Sequence, residues 1–295
     1  MAYLPVLLGA LTAFCWGTSD YLSRSSSNKV GHYRTTVYMH VVSITFLILL
    51  LPLLAPSFNL SLGLFLILVV TSVVNFFAFI FLYRGFHVGV VSVVAPIAYS
   101  YPIVTTVFAV VVLGAMLTEF RTFALVGIIL GVILLSTKFS ELKKYLRGRG
   151  LVKVTPGVGS AVLSALSFGS VYVGLGFVTP LVGYVLPVLF LRGLGALFGF
   201  AFAPLLKQEV RLRRDSITRV IFLMGLLETV GLLSFNLGLA FGSSTLPVVA
   251  ALSSMGGAFA TAYAIVLLRE KLELNQFAGI IISVTGVFAL LYLST

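Results

Sequence analysis

The sequence consists of apolar runs of about 20 residues that alternate with short polar segments. A helix of ~20 residues, at ~1.5 Å per residue, is long enough to cross the ~30 Å hydrocarbon core of a bilayer. We number the runs as spans 1 to 10, and their ranges are 3–23, 35–55, 62–83, 89–113, 121–138, 156–177, 181–205, 218–240, 244–268 and 275–293. The pattern predicts an all-α polytopic membrane protein with ten transmembrane helices.

Prolines and glycines inside the spans indicate where the predicted helices should bend or pack closely. The prolines are Pro96 and Pro102 in span 4, Pro187 in span 7 and Pro247 in span 9. Because proline lacks a backbone N–H, we expect kinks or local unwinding there. In span 9, Gly256 and Gly257 should allow close packing or movement. The candidate gate or hinge residues are Pro96, Pro102, Pro247, Gly256 and Gly257.

The two halves of the sequence repeat each other. An offset of 153 residues aligns Asn75 with Glu228, Tyr83 with Asn236, Gly85 with Gly238 and Gly89 with Gly242. An offset of 152 residues aligns Trp16-Gly17-Thr18 with Phe168-Gly169-Ser170, and Gly127 with Gly279. Five spans per copy is an odd number, so the second copy should be inverted in the membrane. We therefore predict two inverted five-helix repeats, residues 1–138 and 156–295, joined by a basic linker at 139–155, with a site between them near the midplane.

Composition supports the membrane assignment and leaves no room for a soluble domain of useful size. Hydrophobic residues make up 60% of the chain and charged residues only 9%, against about 25% charged in soluble domains. The single cysteine, Cys15, lies in span 1, which excludes an intrachain disulfide. Met1–Ser23 lacks the basic segment and cleavage site of a signal peptide, so we count it as a span.

The positive charges predict an orientation in the membrane. Of the 19 lysines and arginines, 17 lie at the loops that follow odd-numbered spans, whereas Arg121 lies on the opposite side and Arg192 inside span 7. The positive-inside rule places the odd loops in the cytoplasm and both termini outside. Because the net charge of +11 resides in loops, we expect anionic lipid headgroups rather than nucleic acid as its partner. Lys138–Lys153 could be an interfacial segment against those headgroups or a solvated linker.

Three motifs resemble the drug/metabolite transporter superfamily and its EamA-type members. They are Phe14-Cys15-Trp16-Gly17-Thr18-Ser19-Asp20; Tyr83-Arg84-Gly85 with Val91–Pro96 and Pro102; and Leu268–Leu272 with Gln276, Gly279 and Gly286. The resemblance covers nearly the whole chain. It implies ten helices in two EamA units and the export of amino acids, aromatic ones among them, other metabolites or toxic analogues. It also implies the plasma membrane of a prokaryote.

The chain departs from the family pattern in two respects. Thr118 stands where the counterpart of Glu270 is expected, with Glu119 beside it. Family members usually have cytoplasmic termini, whereas the charges here place both termini outside. We favour the charges, because positive-inside bias acts physically during insertion and is very lopsided in this chain.

Glu228 is the carboxylate that lies deepest in an apolar run, and its insertion costs at least ~2.5 kcal/mol. It could titrate or contact a cation in a central cavity, or it could be a structural partner of Arg192. Its repeat counterpart Asn75 could contact substrate or hydrogen-bond a neighbouring helix. Arg192, aligned near Met39 or His40, could hold a substrate carboxylate or extend towards the headgroups.

Other candidates come from spans 1, 2, 4 and 9. His40 could couple transport to protons, although a packing role is the more ordinary alternative. Trp16 could form a cavity wall or an interfacial anchor, and Asp20 should lie near the surface beside Arg24. Tyr99 and Tyr101 flank the Pro102 break and could bind an amine or an aromatic ring, with Ser253 opposite in span 9. The predicted substrate-binding residues are Trp16, Asn75, Tyr99, Tyr101, Arg192, Glu228 and Ser253, and the coupling candidates are Glu228 and His40.

These features favour a secondary transporter that exports a small metabolite by alternating access. No Walker motif is present, every lysine lies in or beside a loop, and no second mid-span acid accompanies Glu228. These facts argue against ATP use, a retinal Schiff base and intramembrane catalysis. We expect no cofactor or metal, and a monomer or weak homodimer. The alternatives are transport of a nucleoside, polyamine or drug-like cation, or channel or lipid scramblase activity.

The orientation predicts which segments a membrane-impermeant reagent can reach. In intact cells, a C-terminal tag should be labelled, whereas a tag inserted between Lys138 and Lys153 should be labelled only after permeabilisation. The reverse labelling pattern would show cytoplasmic termini.

Overall fold

The computed structural model describes residues 3–54, 60–113, 119–136, 139, 155–211, 216–241 and 245–292, and these residues are mostly helical, without strands. The helices are α1 (Tyr3–Val30), α2 (His32–Leu54), α3 (Leu62–Val88), α4 (Val91–Ala98), α5 (Pro102–Leu113), α6 (Glu119–Ser136), α7 (Val158–Val182), α8 (Val185–Phe202), α9 (Ser216–Leu239), α10 (Leu246–Ser254), α11 (Gly256–Leu267) and α12 (Leu274–Tyr292). Most of the linker at 139–155 lies outside the described residues.

Several of these helices are long and apolar enough to cross a bilayer. Five qualify by length and composition, namely His32–Leu54, Leu62–Val88, Val158–Val182, Val185–Phe202 and Ile217–Leu239. Shorter apolar helices cover Val91–Thr105, Leu252–Leu267 and Leu274–Gly286. Large apolar side chains such as Leu49, Leu53 and Phe123 are exposed, as expected where a helix faces lipid. The fold is thus that of a multi-pass helical membrane protein, while the number of ten spans stays a prediction.

Two predicted spans are broken, and glycine or proline stands at each break. Span 4 divides into α4 and α5, and the three-residue turn Tyr99–Tyr101 ends where Pro102 begins α5. Span 9 divides into α10 and α11 at Met255, directly before Gly256. Both breaks lie halfway along their spans. They place backbone turns, and not only side chains, inside the helix bundle.

The predicted kinks at two other prolines are wrong. Pro187 lies in the first turn of α8, which begins at Val185, and Pro247 is in the first turn of α10. The first N–H groups of a helix have no partner within it, so proline at these positions removes no helical hydrogen bond. Both prolines begin helices instead of bending them.

The two halves of the chain interleave. Helix α1 packs along α9, and its repeat counterpart α7 packs along α3. In the same way, α2 packs on α9 and α8 on α3, while α2 contacts α8 and α6 contacts α12. Each interface that a helix of the first half makes with the second half thus has an equivalent when the two halves are interchanged by the repeat. The core of the protein therefore lies between the repeats.

Two side-chain contacts join residues that the repeat makes equivalent. The Tyr101 hydroxyl lies 2.7 Å from Ser253 Oγ, a separation of 152 residues in sequence. Arg192 Nη1 lies 3.7 Å from Met39 Sδ, a separation of 153 residues. Residues related by a two-fold operation can touch only near its axis. These pairs accordingly locate a pseudo-two-fold axis between the halves; inversion of the repeats across the membrane stays a prediction.

Glycine allows the backbones of the two halves to approach closely. A Cβ atom at Gly17 in α1 would lie 2.5 Å from the Gly256 carbonyl oxygen and 2.6 Å from Phe259 Cβ in α11. A Cβ atom at Gly225 in α9 would lie 2.5 Å from Val42 Cγ1 in α2. Helices in lipid associate through such close packing, since water exclusion does not drive their contact.

We expect Gly17→Ala to destabilise the protein, because the added methyl group meets backbone that cannot move aside cheaply. Overpacking of this kind costs about 1–3 kcal/mol, which a thermal unfolding assay in detergent would record as a lower melting temperature. Gly127→Ala in α6 is the matched control, because nothing lies within 4 Å of its Cβ position. Equal melting temperatures for both variants would contradict the packing argument.

Candidate functional site

A buried cavity lies between the halves. Its walls come from α1, α3, α4, the turn before α5, α7 and α9, and its lining residues are Trp16, Asp20, Phe79, Leu82, Ala98, Tyr99, Tyr101, Phe168, Tyr172 and Glu228. The cavity volume is about 20 Å³. That is room for about one water. A larger ligand would require the walls to separate.

Aromatic rings form most of the cavity wall. Tyr172 stacks against Trp16, with centroids 5.7 Å apart and an interplanar angle of 16°. It also lies nearly parallel to Phe168, at 5.8 Å and 9°. Tyr101 meets Tyr172 edge-on at 4.5 Å. Trp16 and Phe168 are repeat equivalents, so both halves contribute the same kind of ring to one wall.

Glycines in the opposing helices determine where two of these rings lie. A Cβ atom at Gly231 in α9 would lie 2.7 Å from Nε1 and Cδ1 of Trp16. A Cβ atom at Gly256 would lie 2.6 Å from Cε1 of Tyr99, and one at Gly257 would lie 2.9 Å from its Cβ. The pair Gly256-Gly257, predicted as a gate or hinge, thus provides the surface on which Tyr99 rests.

Glu228 and Arg192 form a buried ion pair. Arg192 Nη2 donates to Glu228 Oε2 at 2.9 Å and to the Glu228 carbonyl oxygen at 3.0 Å, and each residue is 1% exposed. The Arg192 guanidinium also lies 5.3 Å above the Phe79 ring. Arg192 is buried and is not among the cavity-lining residues. Its burial shows that it does not extend to the headgroups, and its contact with a substrate carboxylate stays a prediction. Of the two alternatives for Glu228, a structural partner of Arg192 matches this geometry. A transport role for Glu228 stays a prediction.

The expectation that Asp20 lies near the surface beside Arg24 is wrong. Asp20 is 1% exposed and lines the cavity together with Glu228. The Tyr99 hydroxyl lies beside its carboxylate, while Oδ2 has no hydrogen-bond partner. Arg24 donates instead to the carbonyl oxygens of Phe86 and Gly89. The cavity therefore contains a second carboxylate, and this one lacks an arginine.

Two further buried polar atoms at or beside the cavity lack partners. They are Trp16 Nε1 in the lining and Arg192 Nε in the adjacent ion pair. An unsatisfied buried donor or acceptor costs about 1–3 kcal/mol, so native structures contain few of them. Together with Asp20 Oδ2, Trp16 Nε1 gives the lining an acceptor and a donor to which a polar ligand or water could bond.

Tyr101 and Ser253 satisfy each other behind the cavity wall. Besides its contact with Ser253, the Tyr101 hydroxyl donates to the Ala250 carbonyl oxygen at 3.0 Å. Ser253 is fully buried and does not line the cavity. Tyr101 consequently presents its ring to the cavity and its hydroxyl to α10. Trp16, Tyr99, Tyr101 and Glu228 are the predicted binding residues that the structure brings together.

His40 and Asn75 lie beyond the cavity lining. His40 Nδ1 donates to the Thr36 carbonyl oxygen at 2.9 Å, and its ring meets Phe79 edge-on at 5.3 Å. The His40 ring also lies beside the Asn75 side chain, with which it hydrogen-bonds. A ligand contact for Asn75 and proton coupling by His40 stay predictions.

One end of the bundle is closed by the carboxylate of Glu270, which follows α11. Glu270 Oε1 accepts from the Val91 N–H at 3.0 Å, and Oε2 accepts from the N–H and hydroxyl of Ser92 at 2.9 and 2.6 Å. Arg269 directs the side chain there through a left-handed backbone with φ of 53°. A carboxylate at a helix N-terminus interacts favourably with the helix dipole. The contact joins the second half to α4 of the first.

The closed end is the one that carries the odd loops. In addition to Glu270, Arg24 bonds to carbonyl groups at the end of α3, and His87 Nδ1 lies 3.1 Å from Asn28 Oδ1. Thr118 and Gly242, which belong to the equivalent loops at the other end, lie outside the described residues, whereas Glu119 is exposed at the start of α6. Access to the cavity through the odd-loop face would require these contacts to break.

Sequence reasoning did not name Phe79, Leu82, Ala98, Phe168 or Tyr172 as site residues. Phe168 could have been found, because the repeat aligns it with Trp16. Tyr172 then follows four residues later on the same face of α7. Nothing in the apolar run around Leu82 indicates which of its faces meets the other half.

A bundle of interleaved apolar helices around a central cavity defines a helical membrane protein. The EamA-like transporter family model matches the chain twice, at residues 4–137 and 155–292. The chain belongs to the EamA-like transporter family, part of the drug/metabolite transporter superfamily. The resemblance inferred from the sequence motifs is thereby confirmed.

A solved structure shares the fold. That structure, described as "Crystal structure of protein", matches with a TM-score of 0.68 and 15% sequence identity over 98% of this chain and 97% of that chain. At this identity the likeness shows the fold alone. The comparison with curated proteins gives no match.

The Arg192–Glu228 pair predicts a non-additive stability pattern. Arg192→Met and Glu228→Gln should each lower the melting temperature strongly, because loss of one partner from a buried pair costs about 3–5 kcal/mol. The double variant should be more stable than the sum of the two losses predicts, as measured in a double-mutant cycle by thermal unfolding.

The exposed pair between Arg34 and Glu209 provides the control for this cycle. Glu209→Gln should cost no more than about 1 kcal/mol, since solvent screens that pair. Additive losses for Arg192→Met and Glu228→Gln would show that the two buried side chains do not depend on each other.

Proposed function

We propose that this protein is a secondary transporter that moves small metabolites across the membrane by alternating access of its two halves. The observation that carries the proposal is the polar cavity between the repeats, closed on the odd-loop face by Glu270 and Arg24. Family membership supports the same function. In the state described, the cavity is too small for a metabolite, so binding and release each require a rearrangement of the halves.

The cavity is also the proposed substrate site. Its aromatic walls fit the ring of an aromatic metabolite, a group that the amino acids expected from the family resemblance share with other metabolites. Trp16, Tyr99 and Tyr101 would contact the substrate through their rings. Glu228 or His40 would couple transport to protons.

The setting of the transporter completes the proposal. We place it in the plasma membrane of a prokaryote with its basic odd loops against anionic headgroups on the cytoplasmic side. In that orientation the closed face is cytoplasmic. A monomer contains the whole cavity, so transport does not depend on a dimer.

Counterflow in proteoliposomes tests the transport mechanism. Vesicles loaded with an unlabelled compound should accumulate the same labelled compound, because an alternating-access carrier exchanges substrate across the membrane. The panel would contain amino acids, amines, polyamines and nucleosides. Uptake that ignores the internal compound would indicate a channel, movement of labelled lipid alone would indicate a scramblase, and no flux of any probe would contradict the proposal.

A reversible cross-link between the halves should stop this exchange. Arg34 and Glu209 form an ion pair between the halves and are accessible to reagents. In a Cys15→Ala background, Arg34→Cys with Glu209→Cys, joined by a short reducible thiol cross-linker, should lose counterflow and regain it on reduction. Each single-cysteine variant treated with the reagent is the control. Undiminished exchange in the cross-linked protein would contradict movement at this interface.

A further inference from the structure

We infer that the cavity selects an aromatic amine, with the ammonium group at Asp20, and rejects the corresponding amino acid. This inference rests on the proposed function, because it names the substrate class of the same site. It replaces the amino acid expected from the family resemblance, which is a zwitterion, with an amine, which carries only the positive charge.

The charges around the cavity favour a cation. The two ionisable acids in its lining are Asp20 and Glu228, and no lysine, arginine or histidine of the described residues lines it. Arg192, the nearest cation, is held by both the carboxylate and the carbonyl oxygen of Glu228. The lining therefore presents a carboxylate without a counter-ion, and it presents no cation to a substrate carboxylate.

Asp20 has the geometry of an ammonium acceptor. Its Oδ2 is buried and lacks a hydrogen-bond partner, and a carboxyl group at this depth carries its charge only when a cation pairs with it. An ammonium group carries the positive charge and the N–H donors that Oδ2 lacks. The Tyr99 hydroxyl beside the Asp20 carboxylate could accept one of its remaining hydrogens.

The surrounding rings suit both ends of an aromatic amine. The faces of Trp16 and the tyrosines attract a cation through the ring quadrupole. Phe79, Phe168 and Leu82 supply apolar surface for the aromatic body. Stacked pairs already present in the wall, such as Trp16 with Tyr172, show that planar groups pack there in parallel.

A carboxylate on the substrate would be unfavourable in the same place. It would enter a water-poor cavity beside Asp20 and Glu228, and like charges brought together without a counter-ion repel strongly. Only rupture of the Arg192–Glu228 pair would free a cation for it, and that would leave Glu228 unpaired. We expect the amino acid to bind at least about tenfold more weakly than its amine.

Two matched pairs of compounds test the inference, tryptamine with tryptophan and tyramine with tyrosine. The members of each pair differ only by the carboxylate. Purified protein should gain thermal stability with the amines, and proteoliposomes should exchange them in counterflow, whereas the amino acids should do neither at equal concentration. Amino acids that bind and exchange as well as the amines would overturn the inference while leaving the proposed transport function intact. Absence of exchange for every compound in the wider panel would instead contradict the transport function.

The comparison of amines with amino acids uses the wild-type protein, so it does not require any variant to fold. A variant then tests whether Asp20 is the ammonium site. Asp20→Asn keeps the side-chain shape and removes the charge, so amine-induced stabilisation should fall at least about tenfold in apparent affinity. Glu209→Gln, an exposed acid far from the cavity lining, is the control and should leave amine binding unchanged. If Asp20→Asn unfolds, Tyr99→Phe removes the hydroxyl beside Asp20 and should weaken amine binding. Unaltered amine affinity in the folded variant would overturn the assignment to Asp20.

Discussion

The buried ion pair between Arg192 and Glu228 is the constraint on which the rest of the site depends. A charge in the hydrocarbon region requires a partner, and these two side chains provide one for each other while joining α8 to α9. The pairing also withdraws the arginine from the cavity. As a result, the remaining carboxylate, Asp20, faces the cavity without a cation, and the electrostatic character of the site follows from an interaction just outside it.

Close helix packing makes this arrangement sterically feasible. Trp16 and Tyr99 can lie flat against α9 and α11 only because Gly231 and Gly256-Gly257 lack side chains. Because Gly17 also lacks a side chain, α1 approaches the backbone of α11 closely at that position. Small residues therefore do two things here: they hold the halves together in lipid, where apolar side chains gain little from mutual contact, and they place large rings around the cavity.

Much of the site could be predicted from the sequence, and the part that could not has a physical explanation. Glu228 and Arg192 were recognisable because a charge inside an apolar run demands a partner, and Trp16, Tyr99 and Tyr101 because they adjoin glycine or a proline break. Asp20 was misplaced because the apolar run ends near residue 23, whereas α1 continues to Val30. Val30 lies ten residues after Asp20, so at ~1.5 Å per residue Asp20 lies about 15 Å from the C-terminal end of α1. Tyr172 was missed because an apolar run shows depth in the membrane but not which face meets the other half.

The repeat is symmetric in its packing and asymmetric in its chemistry. Equivalent helices make equivalent contacts, and Tyr101 with Ser253 touches across the pseudo-axis, yet Glu228 in one half corresponds to neutral Asn75 in the other. Arg192 likewise corresponds to Met39, which it contacts. Symmetric packing allows the halves to exchange two similar arrangements, as alternating access requires. The unequal side chains distribute the charged groups unevenly around the shared cavity. Glu228 and Arg192 belong to the second half, whereas Asp20 belongs to the first. Under the proposed function, a substrate held at Asp20 would be bound by one half and screened by the other, so movement of the halves would change its surroundings without first breaking the ion pair.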